Sequence, residues 1–590
     1  MKLLICAVNS KYIHSSLAPW YLKAAAIQGN LSTAIEILEA NINQSEGSVM
    51  DRIAEFEPDW VAFCCYIWNI RMVKNLVRLL AQKLPKVKIM LGGPEVSYNA
   101  REIMGELPSV DYIICGEGEE PFTQLLHDLE QEASAAQREQ GVQERRLPDS
   151  IAGLCYRDHD DPDTLRCNPA AEPYGQPPSP YTEEYFQRLQ GRIAYFETSR
   201  GCPFACEFCL SGRPGNVRFF DLAQAQGEML QLANSGSKTI KLVDRTFNCH
   251  IGRTKEIIRF ILDRAGKEIP EGVCFHFEVG ADLFDEETLD LLKQAPLGLF
   301  QLEAGLQSFN EQALEAVHRR TDLKKASDHI ARVLAGGNIH LHLDLIAGLP
   351  FEDFESFGRS FDQAFALKPH MLQLGFLKLL HGCGLRQRQT ELGYEFSEEA
   401  PYQYTRTSWL DAEETRRLKD CEDALERLYN SGRFSRTLDY VLSAVPKLRP
   451  FELFCEFGGR VGSSIGMPLD RYTELFYGFA EQMPGIDRSQ LRDRMVCDRL
   501  SCDNTGRLPR FLQSADPRHK EAARALAWLE RMKPSPPKGV KPYGFALLYA
   551  LLPISVVVAD YRKKDPTTGQ YPLRIEPWET LRQAASEAFA

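Results

Sequence analysis

Ser199-Arg200-Gly201-Cys202-Pro203-Phe204-Ala205-Cys206-Glu207-Phe208-Cys209 gathers three thiols into one short loop. Cysteines separated by three residues and then by two can converge on the corners of a single iron–sulfur cube, a [4Fe–4S] cluster. Such a cube normally takes four protein ligands, so three leave one iron open. A structural zinc site or buried free thiols are the alternatives. Zinc wants a fourth Cys or His close by, and the next cysteine, Cys249, is far along the chain.

The spacing, with aromatic Phe208 just before the last cysteine, resembles the C-x3-C-x-aromatic-C loop of radical S-adenosylmethionine (SAM) enzymes. The resemblance implies that Cys202, Cys206 and Cys209 hold the cluster, that SAM chelates the open iron through its amino and carboxylate groups, and that Phe208 touches adenine. It also implies reductive cleavage of SAM to methionine and a 5′-deoxyadenosyl radical, which removes a hydrogen atom from an unreactive position.

Upstream of the loop, short apolar runs alternate with helical patterns, which predicts parallel strands joined by crossover helices, at 3–8, 34–38, 60–67, 87–91 and 112–115. A sheet of this kind binds ligands at the carboxyl ends of its strands. The segments there are Asn9-Ser10-Lys11-Tyr12, Tyr66-Ile67-Trp68-Asn69, Gly92-Gly93-Pro94-Glu95 and Gly116-Glu117-Gly118-Glu119. Alone these turns support a nucleotide- or cofactor-binding guess, since glycine lets backbone approach a ligand closely but is frequent in any tight turn. In this order ahead of the cysteine loop they resemble the cobalamin-binding radical SAM family, whose flavodoxin-like (Rossmann-type) domain precedes the barrel.

That resemblance implies a cobalamin site formed by Asn9, Ser10, Gly92, Gly93, Gly116, Glu117 and Gly118, with Tyr66 and Trp68 packing on the corrin or serving as plain core aromatics. Many cobalamin domains ligate cobalt through Asp-x-His-x-x-Gly. Here the first loop reads Asn9-Ser10-Lys11-Tyr12-Ile13-His14, so base-off cobalamin without a histidine below the metal is expected, with His14 at a helix start or on the surface.

Residues 132–190 are charged and then proline-rich, with a hairpin near 151–156, and read as a linker between domains at 1–131 and 191–390. Downstream of the loop the alternation resumes, predicting strands at 193–198, 239–244, 273–279, 300–304, 340–346 and 371–377 and a partial (β/α)6 barrel of the TIM type. Family resemblance assigns Asp244 to the amino group of SAM, Glu303 and Gln307 of Glu303-Ala304-Gly305-Leu306-Gln307-Ser308 to its ribose or methionine part, and Ile346 and Gly348 of Asp344-Leu345-Ile346-Ala347-Gly348-Leu349-Pro350 to backbone and shape contacts. Arg245 and Arg319 are candidates for its carboxylate. His340 and His342 share a strand face, but a second metal there lacks a third ligand.

From 391 to 590 helical periodicity predominates, predicting a mainly helical domain resembling the domains of unknown function appended to some of these enzymes. The apolar run 543–559, divided by Pro553, reads as a buried helix and then a strand rather than a membrane span.

The net charge of −12 argues against a broadly basic nucleic-acid surface. Sixteen cysteines, several inside apolar runs, read as reduced thiols of a cytoplasmic protein. The reading that follows is a cobalamin-dependent radical SAM enzyme methylating a carbon of a small-molecule or peptide substrate, with a flavodoxin or ferredoxin as reductant. A radical rearrangement, cyclisation or oxidation without methyl transfer is the alternative, or a silent cobalamin- or redox-binding protein.

Overall fold

The run Leu3-Leu4-Ile5-Cys6-Ala7-Val8 is buried throughout, as a central strand of a parallel sheet covered on both faces must be. In the computed structural model it forms β1 (Lys2–Asn9), joined through helices to β2 (Ala34–Asn41), β3 (Trp60–Cys64), β4 (Lys88–Gly92) and β5 (Tyr112–Ile114). These strands are parallel, in the order β2-β1-β3-β4-β5. That is the flavodoxin-like order, with a crevice at the carboxyl ends where the chain switches direction about β1. The crossover helix Ile70–Lys83 buries Ile70, Val73, Leu76, Val77 and Leu80, one helical stripe, against the sheet. The structure describes residues 1–137, 148–158, 161, 163–211, 217–530, 535–536, 538–551, 553–562, 564–565 and 568–589.

The expected linker is corrected. Helix Glu119–Gln137 runs past 131, and β6 (Leu154–Arg157) and β7 (Leu165–Cys167) add to the sheet beyond β5 as antiparallel strands. The reason is local: Cys155 and Tyr156 are buried and pair with Ile113 and Tyr112, so this hairpin covers an edge the parallel strands would leave open. Cys155 and Cys167, opposite each other in register, are joined as a disulfide, an exception to the expectation of reduced thiols throughout. Residues 138–147 of the charged stretch lie outside the described residues.

The chain divides into two compact units, residues 1–280 with 317–320 and 377–405, and residues 281–316 with 321–376 and 406–590. In the first, β8 (Ala194–Phe196) is followed by the two-residue strands β9 (Ser199–Arg200) and β10 (Arg218–Phe219), then β11 (Thr239–Leu242) and β12 (Cys274–Val279). β8, β11 and β12 pair in parallel, and β9 pairs antiparallel with β10. In the second, β13 (Phe300–Gln307), β14 (His340–Ala347) and β15 (Met371–Phe376) are parallel. Six parallel strands alternating with helices thus fall where the repeats were expected. On β13, Phe300, Leu302, Ala304 and Leu306 are buried, and Gln301, Glu303 and Gln307 lie on the opposite, half-buried face.

The remainder of the second unit is helical from Ala412 to Leu529; in 543–559 the strand expected after Pro553 is present, but the part before it is a strand and not a helix. The run forms two antiparallel strands, Tyr543–Leu548 and Ser555–Asp560, with Leu573–Pro577 as the third. A Leu/Ala-rich run carries no period of its own, and pairing with β-branched Val556-Val557-Val558 decides it. Among the described residues no helix is long and apolar enough to cross a membrane.

One buried carboxylate in this unit makes stability depend on pH. Glu352 is fully buried, accepts from Ser308 (2.6 Å) and Ser360 (2.9 Å) through Oε1, and is pushed by burial up to about 7 from 4.5. A carboxyl raised in the folded state contributes stability that is complete below its unfolded value and is lost as pH rises through about 7. Glu352→Gln, which keeps the shape without the charge, is expected to match the parent near pH 4.5 and to exceed it by about 3 kcal/mol at pH 8. Denaturant unfolding at the two pH values checks it; a difference independent of pH would show that burial does not raise this carboxyl in the fold.

Candidate active site

The cysteine loop leaves the barrel through β9 and returns through β10, with Arg200 paired to Arg218 at its neck. Cys206 is buried, and Cys202 and Cys209 are half-buried. The Cys209 amide donates to the Cys206 carbonyl at 3.0 Å, which closes a tight bend between them, and both Cys209 and Cys202 interact electrostatically with Cys206. Arg319 Nη1 lies 3.9 Å from Cys206 Sγ, with its guanidinium 5.1 Å from the Phe204 ring. Burial raises the Cys206 thiol and Arg319 opposes the rise, so the cation favours the thiolate that a metal needs. Glu207 pins the loop: its amide donates to Val317 O (3.0 Å), and its carboxylate takes Arg388 Nη1 at 2.8 Å. Phe208 is half-buried. Three thiols on one bend, one beside a guanidinium, are a donor set that fits an iron–sulfur cluster.

The carboxyl ends of β1, β3, β4 and β5 surround a cavity of about 1020 Å3 whose lining includes Asn9, Ser10, Tyr66, Trp68, residues 92–94 and residues 116–119. Cys202 and Arg245 line the same cavity. Tyr66 and Trp68 stack with centroids 4.5 Å apart and planes 4° from parallel, while Trp68 Nε1 donates to Val8 O. Trp68 remains 44% exposed, so this pair is a flat platform on the cavity wall rather than core filling. Asn9 turns its side chain into the chain: Nδ2 donates to Glu39 (3.0 Å) and Oδ1 accepts from Ser16 (2.5 Å). Its place in the lining is therefore one of shape. The cavity's size and its apolar wall fit a large planar macrocycle.

His14 is not on the surface as expected. It is half-buried, lines the cavity, and its Nδ1 lies 2.7 Å from the Tyr195 hydroxyl. The loop is drawn in by backbone contacts to Ile193, including Ile193 N to Ile13 O at 2.8 Å. Two further residues hold the crevice and were not singled out by the sequence. Buried Asn69 donates to Val8 O and Cys64 O, both at 2.9 Å, tying the ends of β1 and β3. Ser97 Oγ donates to Gly93 O and accepts from Gly116 N, linking the two glycine turns. Each sits beside a glycine or polar turn, a signal too common to be read without the fold.

Asp244 does not present a carboxylate to an ammonium. It is 2% exposed and accepts from Thr198 N (2.7 Å), Thr198 Oγ1 (2.5 Å) and Ser199 Oγ (2.7 Å). With its oxygens so occupied, it clamps the chain just ahead of the cysteines. Glu117 is likewise engaged, by Arg200 (3.1 Å), by Arg218 and by the Tyr174 amide. A carboxylate that the sequence did not single out, Glu278 at the end of β12, is half-buried 3.8 Å from Lys241.

In the second unit, Glu303 and His342 face each other in register on β13 and β14, and Asp344 follows. Their ligating atoms lie within 4.8 Å of one another, with His342 Nε2 at 2.9 Å from Asp344. His342 thus has the neighbouring donors the sequence did not supply, whereas His340 sits against His370, ring centroids 4.9 Å apart. Gln307 follows a bulge, has φ 70°, and its Oε1 is buried with no hydrogen-bond partner among the described residues. An orphaned buried acceptor is costly unless a ligand satisfies it. Ile346 pairs with Gly375 on β15, and Gly348 has φ 96°. This face can offer polar groups to hydroxyls, an ammonium or a cation.

Comparison with known proteins meets this geometry. Residues 3–126 match the B12 binding domain family, 196–364 the Radical SAM superfamily, and 390–535 a protein family of unknown function, DUF4080. The 2-(S-pantetheinyl)-carbapenam-3-carboxylate methyltransferase of Streptantibioticus cattleyicolor is 28% identical over 312 residues, 51% of this chain and 44% of that protein. The anaerobic magnesium-protoporphyrin IX monomethyl ester cyclase of Cereibacter sphaeroides is 24% identical over 340 residues, 55% of this chain and 52% of that protein. The chain spans about half the length of these curated relatives. Among solved structures, the cobalamin-dependent S-adenosylmethionine radical enzyme OxsB with aqua-cobalamin bound is similar in fold, with TM-score 0.58 and 14% identity over 84% of this chain and 78% of that one.

Proposed function

We propose that the chain, in which a match to the B12 binding domain precedes one to the Radical SAM superfamily, is a cobalamin-dependent radical SAM enzyme that methylates an unactivated carbon of a small-molecule or peptide substrate. The observation that carries this reading is that Cys202 of the cysteine loop lines the same cavity as the glycine turns and the Tyr66–Trp68 platform. When bound, the cluster supplies the electron that cleaves SAM and the cobalamin relays its methyl group. Cys202, Cys206 and Cys209 hold the iron, and Arg319 favours the thiolate at Cys206. Tyr66 and Trp68 offer the corrin a flat apolar face, with the glycine turns allowing close approach of backbone. Arg245, exposed at the cavity, is the residue read for a carboxylate. Glu303, Gln307 and Asp344 are read for SAM's polar groups, Ile346 and Gly348 for backbone contact, and Phe208 for adenine. Confinement of the reacting groups supplies proximity and orientation. A flavodoxin or ferredoxin in the cytoplasm is the reductant this chemistry calls for, and a chain of charge −12 is read as acting on no nucleic acid.

The similarity to a cyclase favours a second reading, in which the same cofactors serve a cyclisation without methyl transfer. Methyl-labelled SAM separates them. The anaerobically reconstituted chain, given cobalamin and a strong reductant, is expected to yield both 5′-deoxyadenosine and S-adenosylhomocysteine, with label moving into the corrin fraction. 5′-Deoxyadenosine without S-adenosylhomocysteine would reject methylation and favour cyclisation; neither product would sink both.

A further inference from the structure

Arg200 stands two residues before Cys202 and is 13% exposed, yet it meets three carboxylates. Nη1 reaches Glu117 at 3.1 Å, Nη2 reaches Glu119 at 2.7 Å and Nε reaches Glu197 at 3.0 Å. The guanidinium is further held by the rings of Tyr21 (5.1 Å) and Phe220 (5.9 Å). Arg218, paired with Arg200 across the neck of the cysteine loop, also binds Glu117. Glu117 and Glu119 alternate with the glycines of the turn that lines the cavity. Both sides of the loop's neck are thus bonded to one wall of the proposed corrin site.

A buried ionic cluster of this composition is a poor device for stability. Its desolvation penalty rivals its Coulombic gain, and its best-attested use is to fix a register. A guanidinium with donors in a rigid fork imposes direction as well as attraction, which an ammonium cannot do. We propose that Arg200 and Arg218 are positioning residues that clamp the cluster loop to the turn at 116–119 and thereby set the separation between the iron–sulfur cluster and the cobalamin. This rests on the function proposed above.

The test is magnetic and needs no substrate. In the holo chain, a reduced cluster is expected to speed the electron-spin relaxation of cob(II)alamin, an effect that falls steeply with distance. Compared with the parent at equal iron and cobalamin content, Arg200→Lys and Glu119→Gln are expected to weaken that enhancement at least two-fold, and Arg200→Ala to weaken it further than Arg200→Lys. Unchanged relaxation in fully loaded variants would overturn the clamp, as would its absence in a parent chain holding both cofactors. Should Arg200→Lys not fold, Glu119→Gln, which removes a charge and almost no volume, decides alone. A parent chain that binds no cobalamin or no cluster would instead overturn the function on which the clamp rests.

Discussion

Replacing Cys202, Cys206 and Cys209 together by alanine is expected to take iron after anaerobic reconstitution from about four per chain to near zero, and to abolish reductive cleavage of SAM. The reason is chemical, since thiolates are the donors that iron–sulfur cubes take: Thr246 and Arg319 beside these three offer a hydroxyl and a guanidinium, neither a substitute, and Cys249, whose thiol interacts with that of Cys202, is a single further thiol that cannot replace three. The loop's shape does not hang on the sulfurs. Its middle is held by Glu207 to Val317 and Arg388 and its neck by the β9–β10 pairing. The triple variant is therefore expected to melt close to the parent apo chain and still to take up cobalamin, which separates loss of ligands from loss of fold. Iron content, absorbance and 5′-deoxyadenosine formation check it. A variant that retained a SAM-cleaving cluster would remove the premise of the proposed chemistry.

The parts of this fold that could be read from sequence are those whose signal is local. β1 and β3 announce themselves as unbroken apolar runs, and the turn at 92–95 as paired glycines before a proline, because burial on both faces and unusual backbone angles each restrict residue type at the position itself. The spacing of the three cysteines carries its chemistry in the same way. What failed depends on partners distant in sequence. Asp244 stands at a strand end as a ligand would, and only the arrival of Thr198 and Ser199 at hydrogen-bond distance shows its oxygens to be occupied. Glu117 lines the cavity as its turn suggests, but its carboxylate is taken by Arg200 and Arg218. His14 lies inward of its expected place because a polar loop residue gives no sign that Ile193 will draw it in. The run at 543–559 lacked a period, so strand pairing, a tertiary fact, settled it.

The glycine turn at the cavity offers the sharpest structural test, because Gly92, Gly93 and Gly116 should differ in a defined order. Gly93 has φ 116° and ψ 173°, a region that essentially only glycine occupies. A Cβ there would lie 2.5 Å from Cys65 O and 3.1 Å from Cys65 N. Those atoms are backbone and already committed, since Cys65 N donates to Gly92 O at 2.7 Å, so neither can swing aside. Gly93→Ala must therefore displace the ends of β3 or β4, two walls of the cavity at once. Strain and overpacking together are expected to cost about 3 kcal/mol or more, lowering the thermal midpoint by roughly 5–10 °C and weakening cobalamin binding at least about tenfold. Gly116→Ala meets no atom within 4 Å but keeps φ 86°, so its cost is conformational, about 1–2 kcal/mol. Gly92→Ala finds its nearest neighbour, Ile114 O, at an ordinary 3.7 Å and is expected to change stability by under about 1 kcal/mol. Calorimetry and equilibrium titration with hydroxocobalamin on the three variants measure the order. A Gly93→Ala chain that melts and binds cobalamin like Gly92→Ala would show that β3 and β4 are not locked together at this turn, and that the crevice is shaped by the ligand rather than awaiting it.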